Sequence, residues 1–257
     1  MSNTAGESRR VVAPDDVAPD DADPPDRGSP PAGRTVGPPG GGKCSPSRRV
    51  VTGGIGSAAS GPSLSVAGLV LAAGEGRRFG HPKALVELDG ERLVDRAVRL
   101  LRDGGCRPVV VVSGAVPLHV GDARVVDNPD WRTGMGSSLR CGLAALPVES
   151  GAVIIALVDQ PYIGVEAVRR LLVAYQKGAL AAVVSYAGQL RNPVLLARET
   201  WAGVAAMATG DIGARAYIEA HRSEVVEVPG DDTGDPRDID TPEDLTAVHH
   251  DTRADHL

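Results

Sequence analysis

The sequence predicts an α/β protein of three layers, with helices on both faces of a mostly parallel sheet. Three observations carry this. Apolar strand-like runs alternate with amphipathic helical stretches from residue 66 onward. One run, Val153–Val158, is continuously apolar, as a central parallel strand covered on both faces requires. The first run, Val66–Leu71, leads directly into a loop rich in glycine and cations, at the strand end where such sheets bind ligands.

The elements follow in order. Val66–Leu71 is the first strand. Leu93, Ala97, Leu100 and Leu101 recur at helical spacing, and Gly104-Gly105 ends that helix. The β-branched run Pro108–Val112 is a second strand and Arg124–Val126 a short third. Ser137–Leu146 reads as a helix capped by Ser137 or Ser138. After the central strand, Val165, Val168, Leu172 and Tyr175 mark another helix. Leu180–Ser185 and Pro193–Leu196 are strands, Asp211–His221 is helical, and Glu224–Val228 alternates like an edge strand. The last helix opens at Thr241, with Pro242 in its first turn and Asp244 closing a capping box.

Composition divides the chain. Residues 1–65 hold 10 of the 20 prolines, 11 of the 32 glycines and no aromatic residue. Such a stretch cannot bury enough apolar surface to offset its ordering entropy, so it is expected to be a disordered tail or a misassigned start. Its acidic residues, Asp15 to Asp23 among them, argue against a targeting peptide, and its apolar stretch is too short and broken to span a membrane. Residues 66–248 are sized for one domain with a real core, and 249–257, with His249, His250 and His256, read as a solvated polar tail. The tail's seven acidic and seven basic residues cancel, so the net charge of −6 falls on the folded part. An acidic domain in a chain with seven aromatics is a poor nucleic-acid binder. Cys44, Cys106 and Cys141 show no metal-ligand spacing and read as reduced thiols of a cytoplasmic protein.

The chemistry concentrates in the loop Leu71-Ala72-Ala73-Gly74-Glu75-Gly76-Arg77-Arg78-Phe79-Gly80-His81-Pro82-Lys83. Glycines let its backbone N–H groups approach a ligand closely, and cations beside them favour phosphate. It is neither of the two commonest phosphate loops. Lys83 is followed by Ala84 rather than Ser or Thr, and the third glycine of a dinucleotide fingerprint comes one residue late, at Gly80. Asp159, emerging from the central apolar strand, is placed to serve as a magnesium ligand or to cap the following helix. Asp238 and Asp240 either supply a further carboxylate or decorate a turn.

The loop resembles the signature of the MobA-like nucleotidyltransferases, with Gly74, Arg78, Gly80, Pro82 and Lys83 in register and Phe79 in place of a usual Met. Asp159-Gln160-Pro161 is similar to the family's metal-binding Asp-x-Pro, and Asp238-Ile239-Asp240-Thr241-Pro242-Glu243-Asp244 to its closing motif. Ala73, the segment Asn128–Leu139 and Gly210–Arg215 resemble the molybdenum cofactor cytidylyltransferase branch. The resemblance implies a Rossmann-like nucleotide-binding sheet of the nucleotide-diphospho-sugar transferase type. It implies nucleotide contacts from Leu71, Ala72, Ala73, Gly74, Gly76, Arg78, Gly80, Lys83, Asn128, Ser137 and Ser138. Arg78, Lys83 and Asp159 would be catalytic, and Asp159 and Asp240 would bind Mg2+. It further implies CTP or GTP as substrate, molybdenum cofactor as acceptor, and a molybdenum hydroxylase receiving the product. Arg191-Asn192-Pro193 departs from the branch, where glycine usually stands at the first position. Arg191, Asn192, Asp211 and Arg215 are the candidate acceptor contacts. The alternatives are guanylyl transfer to the same cofactor, transfer to another phosphorylated acceptor, and a non-catalytic cofactor carrier.

Overall fold

The computed structural model describes residues 65–245. The expected tails lie outside the described residues, apart from Ser65, which begins the first strand.

Strand β1, Ser65–Leu71, pairs in parallel with β4, Val109–Ser113, on one side and with β6, Ser150–Leu157, on the other. Beyond β4 lies β5, Arg124–Asp127, also parallel. Beyond β6 come β8, Gln189–Ala197, then β7, Ala181–Tyr186, then β9, Val226–Pro229. Only β8 runs against its neighbours. It is antiparallel to both β6 and β7, while β7 and β9 are parallel. A small hairpin, β2 (Glu87–Leu88) with β3 (Glu91–Arg92), stands apart from this sheet.

The sheet is covered on both faces because its strands are apolar at consecutive positions. Val109, Val111, Ile154 and Ala156 belong to one buried cluster, and their neighbours Val110, Val112, Val153 and Ile155 to the other. Period-two alternation sends successive side chains to opposite faces. The first cluster is closed by α1 (Leu93–Asp103) and α3 (Val165–Gln176), through residues such as Leu93, Leu101, Val168 and Leu171. The second is closed by α2 (Met135–Ala145), α4 (Trp201–Met207) and α5 (Arg215–Ala220), through Leu139, Trp201, Val204 and Ile218. The three-layer expectation therefore holds, and each predicted strand is present.

Four local expectations need correction. Helix α2 begins at Met135 behind Gly134, so Ser137 and Ser138 lie inside its first turn and neither caps it. The helix expected over Asp211–His221 is confined to Arg215–Ala220, because the glycine-containing stretch before it forms turns. Helix α4 and the β2–β3 hairpin were not expected. The capping box at 241–244 is half formed. Asp244 Oδ2 accepts from the Thr241 backbone N–H at 2.8 Å, while the Thr241 hydroxyl lies 3.1 Å from the same oxygen and does not reach the Asp244 N–H.

Candidate active site

The glycine loop leaves the carboxyl end of β1, as the sequence required. Gly76 adopts φ +66°, and a Cβ there would stand 2.0 Å from the His81 carbonyl oxygen, so only glycine lets the loop close on itself. The loop is anchored by Phe79, buried in the core. Its far end turns at Pro82 into a single 3₁₀ turn, Lys83–Leu85, pinned by buried Ala84, which sets Lys83 facing back across the sheet edge.

Asp159 follows β6, directly beside that edge. Its carbonyl accepts the Ile239 N–H at 2.8 Å, which stitches the distant segment 238–240 alongside it. Ile239 is 1% exposed and belongs to the core, so its neighbours Asp238 and Asp240 are held in place on either side of it in the chain. Asp240 lines the cavity under the glycine loop, and Asp238 lines a second cavity next to it.

Lys83 joins the acids. Its Nζ lies 3.0 Å from Asp159 Oδ2 and 2.6 Å from Asp240 Oδ1, and Arg78 reaches the other Asp240 oxygen at 3.0 Å. Burial works against the charge of Lys83, but the field of Asp159 and hydrogen bonds to both carboxylates more than offset it and hold its pKa above the ordinary lysine value. Asp238 is shifted the other way from a paired acid. Burial first, then the charge of Asp159, pushes its carboxyl up, while the hydrogen bond from Gln160 opposes this. Gln160 is buried and donates to Asp238 Oδ1 at 2.8 Å and to the Pro236 carbonyl at 3.3 Å.

The first cavity holds about 440 Å³. Of the sequence-derived candidates, Leu71, Ala73, Gly74, Gly76, Arg78, Lys83, Ser138, Asp159, Asp211 and Asp240 line it. Ala72, Gly80, Asn128 and Ser137 do not. Asn128 is 3% exposed and fully engaged behind the wall. Its amide donates to Ser137 Oγ at 2.9 Å and to Ser138 Oγ at 3.1 Å, and its carbonyl accepts from the Asp130 N–H at 3.0 Å. Sequence reasoning did not place Trp131, Arg132 and Met135 in this wall. The Arg132 guanidinium lies over the Trp131 ring, 4.4 Å from its centroid. The second cavity, about 380 Å³, is lined by Arg191, Asn192, Arg215, Asp211 and Gln160 among apolar side chains of β6, β7, β8 and α5. Leu71, Met135, Leu157 and Asp211 belong to both cavities, so the two adjoin.

The donor set suits a hard divalent cation shared with substrate. Two carboxylates face a loop of glycines and cations, and magnesium characteristically takes one or two carboxylates with the rest of its shell from phosphate and water. Among the described residues no group of three or more His, Cys, Asp or Glu is arranged to hold a cation unaided.

A mostly parallel sheet that ends in a phosphate-type loop, faced by two acids and a lysine, is the architecture of an enzyme that handles phosphorylated substrates. Residues 68–225 match the family described as "MobA-like NTP transferase domain", and the chain belongs to that family of nucleotidyltransferases. It is 35% identical over 193 residues to a nicotine blue oxidoreductase from Paenarthrobacter nicotinovorans, covering 70% of this chain and 94% of that protein. It is 29% identical to a molybdenum cofactor guanylyltransferase from Rhodobacter capsulatus, covering 71% and 94%. The crystal structure of Rv0371c from Mycobacterium tuberculosis H37Rv superimposes with a TM-score of 0.64 at 23% identity, over 73% of this chain and 99% of that one. A manganese complex of Rv0371c superimposes with a TM-score of 0.60 at 25% identity, over 72% and 97%. Among the described residues no helix is long and apolar enough to cross a membrane.

Proposed function

We propose that this nucleotidyltransferase moves a cytidylyl group from CTP to the terminal phosphate of the molybdenum cofactor, releasing pyrophosphate. The observation that carries the reading is Lys83 between Asp159 and Asp240 beneath the glycine loop. In it, the N–H groups of residues 74–80, Arg78 and Lys83 hold the triphosphate. Asp159 and Asp240 would hold a magnesium ion, which would supply Lewis-acid polarisation and charge neutralisation at the phosphates. The acceptor phosphate is already an anion, so no general base is needed. One of its oxygens forms a bond to the α-phosphorus, the bond from that phosphorus to the β-bridging oxygen breaks, and pyrophosphate leaves with the electron pair. The chain's own contribution is positioning and preorganised charge. The second cavity suits the acceptor, because it adjoins the first and combines apolar walls with Arg191, Asn192 and Arg215.

The choice of CTP is supported by resemblance through Ala73 and the 128–139 and 210–215 segments, and guanylyl transfer or another phosphorylated acceptor are its rivals. A second reading comes from the relative that is named an oxidoreductase. The test is pyrophosphate release by the purified full chain with magnesium, molybdenum cofactor and each of CTP, GTP, ATP and UTP, run beside an assay for oxidation or reduction of the dye nicotine blue. Release with CTP alone supports the proposal. Release with GTP replaces the nucleotide, and dye oxidation or reduction without release replaces the reaction.

A further inference from the structure

Four cations line the first cavity, and three of them are paired with acids. Arg77 pairs with Glu75, Arg78 with Asp240, and Lys83 with both Asp159 and Asp240. Arg132 has no ion pair and no side-chain hydrogen bond among the described residues. What holds it is the Trp131 ring, which its guanidinium overlies. That ring is itself fixed. Trp131 packs against the second apolar cluster, and a Cβ on Gly114 would stand 2.6 Å from Trp131 Cβ and 2.9 Å from Ala73 Cβ. A guanidinium laid on an indole is weakly hydrated and keeps its planar fork of donors, which suits two acceptors at once. Its place also differs from that of Lys83. Phe79, Ala84 and Ile239, which position the phosphate end, belong to the first cluster, whereas Leu71, Ala73 and Trp131 belong to or pack against the second. The wall beside Arg132 is therefore apolar and includes an aromatic ring, as a flat ring system requires and a polyphosphate does not.

We propose that Arg132, laid flat on Trp131, reads the nucleobase by donating its fork to a pair of adjacent acceptors on one edge of the ring. Such a pair exists on cytosine, at O2 and N3, and on guanine, at O6 and N7. Uracil places an N–H between its two carbonyls, and adenine sets an amino group beside each of its N1 and N7 acceptors. The residue thus admits cytosine or guanine and disfavours uracil and adenine. This rests on the nucleotidyl-transfer reading above and adds to it the side chain that sorts the bases. It is independent of the acceptor.

Calorimetry on the full-length protein with Mg2+ tests this. Wild type, Arg132→Met and Arg132→Lys are each titrated with CTP, GTP, UTP, ATP, 3-deaza-CTP, 7-deaza-GTP and inorganic tripolyphosphate. Wild type should bind CTP or GTP more tightly than UTP and ATP. Arg132→Met should weaken the better of CTP and GTP by about tenfold or more, as for hydrogen bonds to a charged group, and shift UTP, ATP and tripolyphosphate by less than about twofold. The deaza analogue of that nucleotide lacks one acceptor of the pair, so it should bind wild type more weakly than its parent, while Arg132→Met should no longer tell the two apart. Arg132→Lys keeps the charge but not the fork, and should resemble Arg132→Met. Full rescue by Arg132→Lys overturns the inference, as does an equal loss for tripolyphosphate, which would make Arg132 a phosphate contact. A wild-type preference for UTP or ATP overturns it too. Unchanged nucleotide affinity in Arg132→Met overturns the inference and leaves nucleotidyl transfer standing, whereas absence of nucleotide binding to wild type overturns both.

Discussion

Asp159 and Lys83 touch but carry opposite charges, and the function proposed above gives them different duties. Asp159→Ala removes an acid from the cation side and leaves Lys83 with Asp240 alone. Turnover, read as pyrophosphate release, should fall by about 10²–10³-fold, the usual loss for one preorganised charge stabiliser. Near-native turnover in magnesium would refute its assignment as a metal ligand. Asn128 predicts a different pattern. Its amide is used up holding Ser137 and Ser138, so Asn128→Ala should leave two hydroxyls under-satisfied at the start of α2 and cost about 1–3 kcal/mol, seen as a lower urea midpoint. The sequence marked Asn128 as a nucleotide contact because it lies in a segment that carries the family resemblance. The reason it is not at the cavity surface is tertiary: the residue folds under its own helix start, and no local spacing reports that. The pairing of Lys83 with the two acids was equally hidden, because Asp159 and Asp240 are separated by eighty-odd residues and are brought together by tertiary bonds such as that from the Ile239 N–H to the Asp159 carbonyl.

At the scale of elements, the turn into α2 is a tight constraint near the site. Gly134 sits at φ +106°, and a Cβ there would stand 2.3 Å from the Gly210 backbone. Gly134→Ala therefore forces both a strained backbone and a clash with the α4–α5 connection. A loss of roughly 1–3 kcal/mol is expected, measurable as a lowered Tm. Binding at the cavity should weaken with it, since Gly134 and Met135 line the wall. The legibility of elements tracks their physical signal. Strands such as Val109–Ser113 were plain because β-branched residues fill them, and α1 because its apolar positions recur at helical spacing. Helix α4, WAGVAAM, is small-residue-rich with little polar contrast and no capping side-chain bond, so it carries no periodic signal. The β2–β3 hairpin could have been found, because its turn is Asp89-Gly90, a preferred two-residue hairpin pair. The cap of α2 was assigned by residue type to serine, when backbone geometry required the glycine before it.

Across the whole molecule, the two apolar layers make a core in which titration is suppressed. Cys106 is fully buried, and burial pushes its thiol up to about 12, with Arg107 opposing weakly. The sign is fixed by linkage. The unfolded chain gives up this proton near the ordinary thiol value, about 8.5, while the folded chain keeps it to about 12. The unfolded state therefore binds fewer protons in that window, and stability is intact below it and falls as pH rises through it, by about 1.4 kcal/mol per pH unit from this group. Urea unfolding at pH 8 and pH 10 should show a steeper loss for wild type than for Cys106→Ala, whatever the variant's stability at pH 8. Equal losses would mean that the thiol ionises in the fold. By the same burial, Cys106 should resist alkylation at pH 8 until the protein is denatured, while the partly exposed Cys141 reacts sooner.

Ile239 gives the active site an unexpected lever. One inert side chain, locked in the core, holds an acid on either side of it, one for each cavity. The positions of the two carboxylates are thereby tied to one pivot. Any change that tilts the backbone at that pivot, such as a smaller residue at 239 or a repacked neighbour, shifts an acid of each cavity at once. On the function proposed above, selection for a new acceptor would then disturb handling of the triphosphate unless Ile239 stayed put. On the acceptor reading proposed above, substitutions at Arg191 and Arg215, which line the second cavity on elements that do not share that pivot, would alter acceptor preference with least disturbance.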